Sequence, residues 1–184
     1  ARVIQSFLLG WALRMRGDAA GAAGRLREAA AALRGADLFR HLSSTLGELA
    51  QAEAMLGRVE AAEAALAEAE AARIESFRMD EWAIGLGRAW VAVARGESSA
   101  AVAAALATAE VTGAHGQRFL QALCLHEALR LGAGPAVTAE LAALAEVVDG
   151  PFAATFAAHA EARAGDDPAA LDRVAGSFAA MGAD

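Results

Sequence analysis

The sequence predicts an all-α fold, and three observations support this prediction. First, 55 of the 184 residues are alanine, the residue with the highest helix propensity. Second, proline occurs only three times, and no segment carries the signals of a β-strand. Third, glycines recur at separations of 40, 39, 38 and 31 residues, at positions Gly17, Gly57, Gly96, Gly134 and Gly165. A period in this range is typical of an array of helix pairs.

The glycines divide the chain into five predicted helical hairpins. The first helices are expected near residues 3–16, 39–56, 78–95, 117–131 and 152–164. The second helices are expected near 19–34, 58–73, 98–111, 135–148 and 168–181. Residues that favour the start of a helix stand near these entries, namely Asp18, Asp37, Asp80, Ser98, Asp167 and Pro168. The connections between helices are therefore short.

The first two hairpins follow the large–small pattern of a tetratricopeptide unit. Around Gly17 the pattern is Leu9-Gly10, then Ala22, Leu26 and Ala29; around Gly57 it is Leu49-Ala50, then Ala62, Leu66 and Ala69. Glu53 departs from this pattern, and the later hairpins match it less well. We therefore expect a tetratricopeptide-like right-handed solenoid of about five antiparallel helical hairpins. We expect this solenoid to form one domain over residues 1–184, as a fragment of a longer chain.

The segment GRVEAAEAALAEAEAAR (residues 57–73) illustrates the second helices. Its apolar line of Val59, Ala62, Leu66 and Ala69 lasts about two heptads, which is too short for a coiled coil. The small residues instead allow neighbouring helices to approach closely. The four glutamates of the segment are expected to form its solvated edge.

Charge and cysteine content exclude several classes of protein. The net charge is −7, which makes a general affinity for nucleic acid unfavourable. The longest uncharged run, 98–109, is too short to cross a bilayer, so no membrane association is expected. Cys124 is the single cysteine, which excludes an intrachain disulfide and suits a cytoplasmic protein.

The motifs of common catalytic and cofactor sites are incomplete. The chain contains no lysine, which excludes a phosphate-binding P-loop. Gly85 and Gly87 begin a dinucleotide-like motif inside a predicted helix, but Trp90 replaces its third glycine. His126 begins a zinc-like motif, but Arg130 stands where the second histidine belongs. We therefore expect no catalytic residues, no metal and no cofactor. An enzyme is the least favoured of the three functions considered, after the two non-enzymatic binding roles described below.

Two tryptophans occupy equivalent positions in the first and third hairpins. Trp11 and Trp90 each lie six residues before a turn glycine, and Arg14 follows Trp11 by one helical turn. At this position of a tetratricopeptide array, side chains tend to face the concave groove. One hypothesis is therefore that Trp11, Arg14 and Trp90 line a groove for a ligand or a peptide. The alternative is that both indoles fill the hydrophobic core.

The second half of the chain, from Leu123 onward, contains an H-x-A-x-R-L-G run that begins at His126, a V-D-G-P turn at Val148–Pro151 and an A-H-A segment at Ala158–Ala160. With these features it resembles the helical-repeat region of large actinobacterial LuxR-family transcriptional regulators of the MalT-like kind. The segments 57–73 and 90–97 are similar to preceding repeats of that region. In such regulators an N-terminal nucleotide-handling domain precedes the repeats, and a C-terminal helix-turn-helix reads DNA.

This resemblance implies a sensor and scaffold segment that binds a small-molecule effector or a protein segment and does not contact DNA itself. The alternative is a free-standing tetratricopeptide-like adaptor that binds protein segments. A homodimer formed through an uncapped end of the array is also an expectation.

Overall fold

The computed structural model describes residues 2–37, 40–74 and 78–183, which form ten α-helices and two short 3₁₀ turns. The helices are α1 (Arg2–Met15), α2 (Ala19–Gly35), α3 (Leu42–Met55), α4 (Val59–Ala72), α5 (Glu81–Ala94), α6 (Ser98–Ala114), α7 (Arg118–Arg130), α8 (Thr138–Ala145), α9 (Pro151–Ala164) and α10 (Pro168–Ala180). These residues contain no β-strand, and the all-α prediction is confirmed. Each expected helix has a counterpart, although the expected start of the third at residue 39 lies outside the described residues.

Left-handed glycines close the turns of the first three hairpins. Gly17, Gly57 and Gly96 have φ angles of +85°, +70° and +78°, a region that favours glycine because it has no Cβ. In the first turn, the N–H of Gly17 donates to the carbonyl of Arg14, and the N–H of Asp18 donates to the carbonyl of Leu13 at 2.9 Å. This pair of bonds satisfies carbonyls that the end of α1 would otherwise leave free.

In the last two hairpins the residue at the equivalent position differs from the expected one. After α7 it is Gly132, with φ +108°, whereas Gly134 opens the 3₁₀ turn that leads into α8. After α9 it is Asp166, with φ +48°, whereas Gly165 keeps a right-handed backbone. Gly134 is also left-handed, with φ +66°. The glycine period therefore locates both turns but misplaces the left-handed residue that directly follows the first helix by two positions and by one.

Successive helices pack against one another along the chain. Helix α2 contacts α3, α3 contacts both α4 and α5, α5 contacts α6, and α6 contacts α7, while α9 contacts α7, α8 and α10. The small residues predicted for the second helices are buried at these contacts: Ala22, Ala62 and Ala69 are fully buried, and Ala29 nearly so. Alanine at these positions lets helix axes approach closely. The right-handed course of the array stays a prediction.

The glutamates of α4 bind arginines on both neighbouring helices. The pairs, at 2.6 to 2.7 Å, are Glu68 with Arg34 of α2, Glu70 with Arg88 of α5 and Glu63 with Arg95, which directly follows α5. The carboxylates remain 38–44% exposed, so the predicted solvated edge is also the surface through which α4 pairs with its neighbours. Each pair contributes at most about 1 kcal/mol to stability, because water screens it.

Glu53, which departs from the repeat pattern, is buried between two arginines. Its carboxylate is 3% exposed and accepts hydrogen bonds from Arg27 at 2.8 Å and from Arg58 at 3.2 Å. The two guanidinium groups are about half exposed, so the ion pairs extend from the buried carboxylate to the protein surface. The departure from the pattern is therefore an ion-paired contact of α3 with α2 and with the start of α4.

The crossing of α3 and α5 depends on Gly47. A Cβ atom at this position would lie 2.7 Å from the backbone carbonyl carbon and oxygen of Ala83. Neither helix can give way without moving its main chain. We expect Gly47→Ala to lower the free energy of unfolding by about 1–3 kcal/mol, although alanine favours helix formation.

Gly24→Ala is the matched control for this substitution. Gly24 lies inside α2, is exposed, and a Cβ there would meet no atom within 4 Å. We expect this variant to be about 0.5–1 kcal/mol more stable than the parent, because only helix propensity changes. Urea denaturation of both variants measures the difference. Equal effects at the two glycines would contradict the close crossing.

Candidate functional site

A cavity of about 500 Å³ lies between the N-terminal hairpins and the C-terminal helices. Its walls come from the ends of α1 and α3, from α7 and α9, and from α10. Charged or titratable side chains in the walls are Arg14, His126, Glu127, Arg130 and His159, and the aromatic ones are Phe152, Phe156 and Phe178. Polar and aromatic groups thus converge on one space.

Arg14 is held in the wall by a buried ion pair with Glu48 of α3. The Nε of Arg14 donates to one carboxylate oxygen at 2.5 Å, and Nη2 donates to the other at 3.2 Å. The two side chains are 2% and 0% exposed. Burial disfavours the charged guanidinium, but Glu48 outweighs burial and raises the pKa of Arg14 above its ordinary value. Burial raises the pKa of Glu48, while Arg14 and a hydrogen bond of 3.2 Å from Gln51 oppose that rise.

Glu127 lines the cavity and has one carboxylate oxygen that is buried and unpartnered in the described part of the chain. The residue is 2% exposed, and its Oε1 accepts a hydrogen bond from Nη1 of Arg130 at 2.8 Å. Its Oε2 is buried and has no hydrogen-bond partner among the described residues. A buried acceptor without a donor is unfavourable by about 1–3 kcal/mol. Several buried side-chain atoms of the described residues have no hydrogen-bond partner, and of their residues Glu127 is the one that lines the cavity.

Two histidines form a hydrogen-bonded pair across α7 and α9. Nε2 of His126 lies 2.9 Å from Nδ1 of His159, so one ring donates and the other accepts. Burial lowers the pKa of His126 well below its ordinary value, and the nearby His159 and Arg130 lower it further. Burial also lowers the pKa of His159, with added effects of Arg163 and Arg130. Both rings are therefore neutral near pH 7.

The histidine pair continues into an aromatic cluster. His126 stacks on Phe156 with ring centroids 4.2 Å apart and an interplanar angle of 11°. Phe178 of α10 lies 5.5 Å from His126 and 6.1 Å from Phe156. Phe152 lies 6.1 Å from Phe156 along α9. Since the rings come from three helices, the apolar wall of the cavity depends on the position of α10 as well as on α7 and α9.

The three residues predicted from the sequence lie in different surroundings. Arg14 lines the cavity. Trp11 is half-buried against Trp82 of α5, with ring centroids 5.7 Å apart. Trp90 is also half-buried, and the guanidinium of Arg130 lies 5.7 Å from its ring centroid. Trp90 is thus linked to the cavity through Arg130, and a groove shared by Trp11, Arg14 and Trp90 stays a prediction.

Sequence reasoning missed Glu48, Glu127 and His159 as site residues, although their spacing carries a signal. Arg14 and Glu48 are 34 residues apart, and His126 and His159 are 33 residues apart. These separations are close to one repeat. A search for complementary polar residues one repeat apart would have found both pairs.

The neutral histidine pair predicts a loss of stability in mild acid. Because the folded state holds the pKa of His126 below 6.5, the unfolded chain binds more protons once the pH falls below that value. The stabilisation is complete above about pH 6.5 and is lost as the pH falls toward the folded pKa. We expect the free energy of unfolding to decrease between pH 7.5 and pH 5.

Unfolding experiments with His126→Gln and His115→Gln at each pH would test this prediction. His126→Gln should flatten the pH dependence, because its side chain does not titrate. His115 is exposed and hydrogen-bonded within its own helix turn, so His115→Gln should keep the parental profile. Identical profiles for the parent and His126→Gln would contradict the prediction.

None of the protein-family models, curated proteins and solved structures compared with this chain matches it. Within residues 2–37, 40–74 and 78–183, no group of three or more His, Cys, Asp or Glu side chains is placed to hold a metal ion. No helix in the described part of the chain is long and apolar enough to cross a membrane.

Proposed function

We propose that this chain is the sensor segment of a LuxR-family, MalT-like transcriptional regulator and that its cavity binds a small-molecule effector. The observation that carries the binding role is the cavity of about 500 Å³, whose wall combines three phenylalanines with Arg14, Glu127, Arg130 and the histidine pair. Ligand sites in proteins have volumes of about 300–1,000 Å³ and combine apolar walls with a few polar groups. The regulator role rests on the resemblance of the second half of the sequence.

The chemistry of the wall supports binding rather than catalysis. Arg14 is bound by Glu48. Cys124 of α7 does not line the cavity, and burial raises the pKa of its thiol, so that it is not a nucleophile at neutral pH. His126 and His159 bond to each other rather than to a serine, threonine or cysteine that they could activate. These groups can recognise a molecule, but none is prepared to attack one.

The position of the cavity suits a sensor. Its wall joins the ends of α1 and α3 to α7, α9 and α10, which are far apart in the sequence. A ligand that contacts both sets of helices favours the arrangement in which they are close. Binding therefore stabilises the position of α10, the last helix of the chain, relative to the N-terminal hairpins. This is how an effector signal would reach a segment that follows residue 184.

A blocking substitution tests the cavity as a binding site. Ala179 is an exposed residue of α10 that lines the cavity, whereas the neighbouring Ala180 is exposed and does not. A fragment library would be screened by ligand-detected NMR against the parent, Ala179→Trp and Ala180→Trp. We expect hits that Ala179→Trp abolishes and Ala180→Trp retains. Hits that survive both substitutions, or no hits at all, would contradict a small-molecule site in this cavity.

The regulator role has a separate test. The coding sequence beyond Asp184 should encode a helix-turn-helix domain if the chain belongs to such a regulator. A stop codon directly after Asp184 would contradict that role while leaving the cavity result intact. In that case, binding of peptides but not of fragments would favour the protein-segment adaptor.

A further inference from the structure

The exposure of the charged groups in the cavity wall specifies the charge of the ligand. We propose that the cavity takes an organic anion, a carboxylate on an aromatic ring system, and that the guanidinium of Arg130 binds the charged group. This inference rests on the proposed function. It adds the charge of the effector, the character of its apolar part and the side chain that recognises it.

Burial closes Arg14, Glu48 and Glu127 to direct contact with a ligand. The side chains of Arg14 and Glu48 are 2% and 0% exposed, and they are bound to each other. The side chain of Glu127 is 3% exposed, and the oxygen that Arg130 does not bind is itself buried. These two carboxylates therefore offer no accessible acceptor to a molecule in the cavity.

Arg130 differs from these residues because its side chain lines the cavity and remains 41% exposed. A guanidinium group carries five N–H donors. Nη1 of Arg130 donates to Glu127 at 2.8 Å, and Nε and Nη2 donate to no acceptor among the described residues. The guanidinium lies over the ring of Trp90, 5.7 Å from its centroid, which favours one position of the group. Its free donors match the two oxygens of a carboxylate.

The balance of charge around the cavity also favours an anion. The charged side chains of the wall, and those that act on the wall, are three arginines and two glutamates: Arg14, Arg130, Arg163, Glu48 and Glu127. Arg163 donates to the carbonyl of Leu129 at 3.5 Å and pairs with no carboxylate in the described part of the chain. With both glutamates ionised, the set still has one positive charge in excess. A cationic ligand would meet this charge with no accessible carboxylate to balance it.

The aromatic character of the ligand follows from the phenylalanines of the wall. Phe152 and Phe178 are half-buried and line the cavity. The ring centroid of each lies 6.1 Å from that of Phe156, which is stacked on His126. Aromatic rings pack against such side chains in offset or edge-to-face arrangements. A planar ring system that bears a carboxylate therefore matches both the apolar and the charged part of the wall.

Three naphthalenes of similar shape test the charge of the ligand. The probes are 2-naphthoate, an anion; 2-naphthamide, its uncharged analogue; and 2-naphthylmethylammonium, a cation. Each is titrated against the protein at pH 7.5 by ligand-detected NMR. We expect 2-naphthoate to bind about tenfold or more tightly than each of the other two, because its bond to the guanidinium is charge-assisted. Equal binding of the three probes, or tightest binding of the amide or the cation, would overturn the ligand class.

The double variant Arg130→Met/Glu127→Leu tests the recognising side chain. It removes a cation and the anion bound to it, so the net charge of the protein is unchanged and no unpaired carboxylate stays buried. We expect 2-naphthoate to bind about tenfold more weakly and 2-naphthamide to keep its affinity within about threefold. An unchanged preference for 2-naphthoate would overturn the role of Arg130. Should the variant fail to fold, the ranking of the probes by the parent still decides the ligand class.

Arg173→Met is the matched control for a distant charge. Arg173 lies on α10, its side chain is 72% exposed, and it does not line the cavity. We expect this variant to bind all three probes like the parent, although it loses a positive charge that the double variant keeps in balance. A loss of 2-naphthoate binding as large as that of the double variant would mean that general charge, and not Arg130, recognises the anion.

The outcomes separate this inference from the proposed function. If the amide or the cation binds most tightly and Ala179→Trp abolishes its binding, the ligand class is wrong although the cavity binds ligands. If no probe binds at millimolar concentration, and the fragment screen also gives no hit that Ala179→Trp abolishes, both proposals are overturned. Tightest binding of 2-naphthoate that both Ala179→Trp and the double variant remove supports both.

Discussion

Arg14→Met is expected to lower the free energy of unfolding by about 3–5 kcal/mol at pH 7.5. The substitution keeps an unbranched side chain in the same space but removes the cation from a pair in which both partners are buried. Glu48 is then left in the interior without its counter-charge, and Glu127 loses the second cation that lies close to it. An uncompensated buried carboxylate is far less favourable than a paired one. Urea denaturation of parent and variant measures the loss.

The double variant Arg14→Met/Glu48→Leu distinguishes the ion pair from simple packing. Replacing a whole buried pair with apolar residues of similar volume is often neutral or stabilising, because no charge remains to be desolvated. We expect the double variant to recover at least about half of the stability that Arg14→Met loses. A double variant no more stable than Arg14→Met would show that packing of the Arg14 stem causes the loss.

The pH dependence of the single variant provides a second signature. Without Arg14, burial raises the pKa of Glu48 with only the hydrogen bond from Gln51 to oppose it, so Glu48 takes up a proton more readily than in the parent. The stability difference between parent and Arg14→Met should therefore be smaller at pH 5 than at pH 7.5. Taking the difference at each pH removes the contribution of the histidine pair, which both proteins share. A difference independent of pH would contradict a buried charge as the cause.

The helices were predictable because their signals are local. A turn glycine, a line of alanines or an aspartate at a helix entry acts within a few residues, and Asp18 and Asp167 do cap α2 and α10 as expected. The turn after α9 shows the limit of a rule based on glycine alone. An aspartate such as Asp166 can also adopt the left-handed conformation, so the left-handed residue need not be the glycine. Local sequence rules thus predict the presence of a helix more accurately than the residue at which it ends.

The cavity was not predictable in the same way, because its wall joins residues from several hairpins. Glu53 appeared as an exception to a pattern, and only the packing of α2 against α3 shows that Arg27 neutralises it. Glu127 follows His126 in the incomplete zinc motif, which gives it no role of its own. Its importance depends on which of its two oxygens is bonded, and no sequence pattern encodes that. Arg14 was found because it follows Trp11 by one turn, although Glu48 and not the indole holds it in place.

Leu86→Ala is expected to lower the free energy of unfolding by about 2–5 kcal/mol. Leu86 is fully buried in α5 and packs in a cluster that also contains Leu123 and Phe156. Its truncation removes apolar contacts and leaves a void that the surrounding helices close only in part. Leu8→Ala is the control, because Leu8 is 49% exposed and its truncation should change stability by about 0.5 kcal/mol or less. Urea denaturation compares both variants with the parent.

The form of the Leu86→Ala transition tests whether the hairpins unfold together. Leu86 belongs to the cluster that reaches the cavity, whereas Ile84, two residues away on α5, belongs to the cluster of the N-terminal hairpins. Helix α5 contributes side chains to both clusters. Loss of packing at Leu86 should therefore weaken the contact between the N-terminal hairpins and the C-terminal helices. If the array unfolds as one unit, the midpoint falls and the dependence on urea keeps its slope. Hydrogen exchange should then accelerate in α3 as well as in α7. Exchange that accelerates in α7 alone would mean that the N-terminal hairpins unfold independently, as in a repeat array with weak coupling between neighbours.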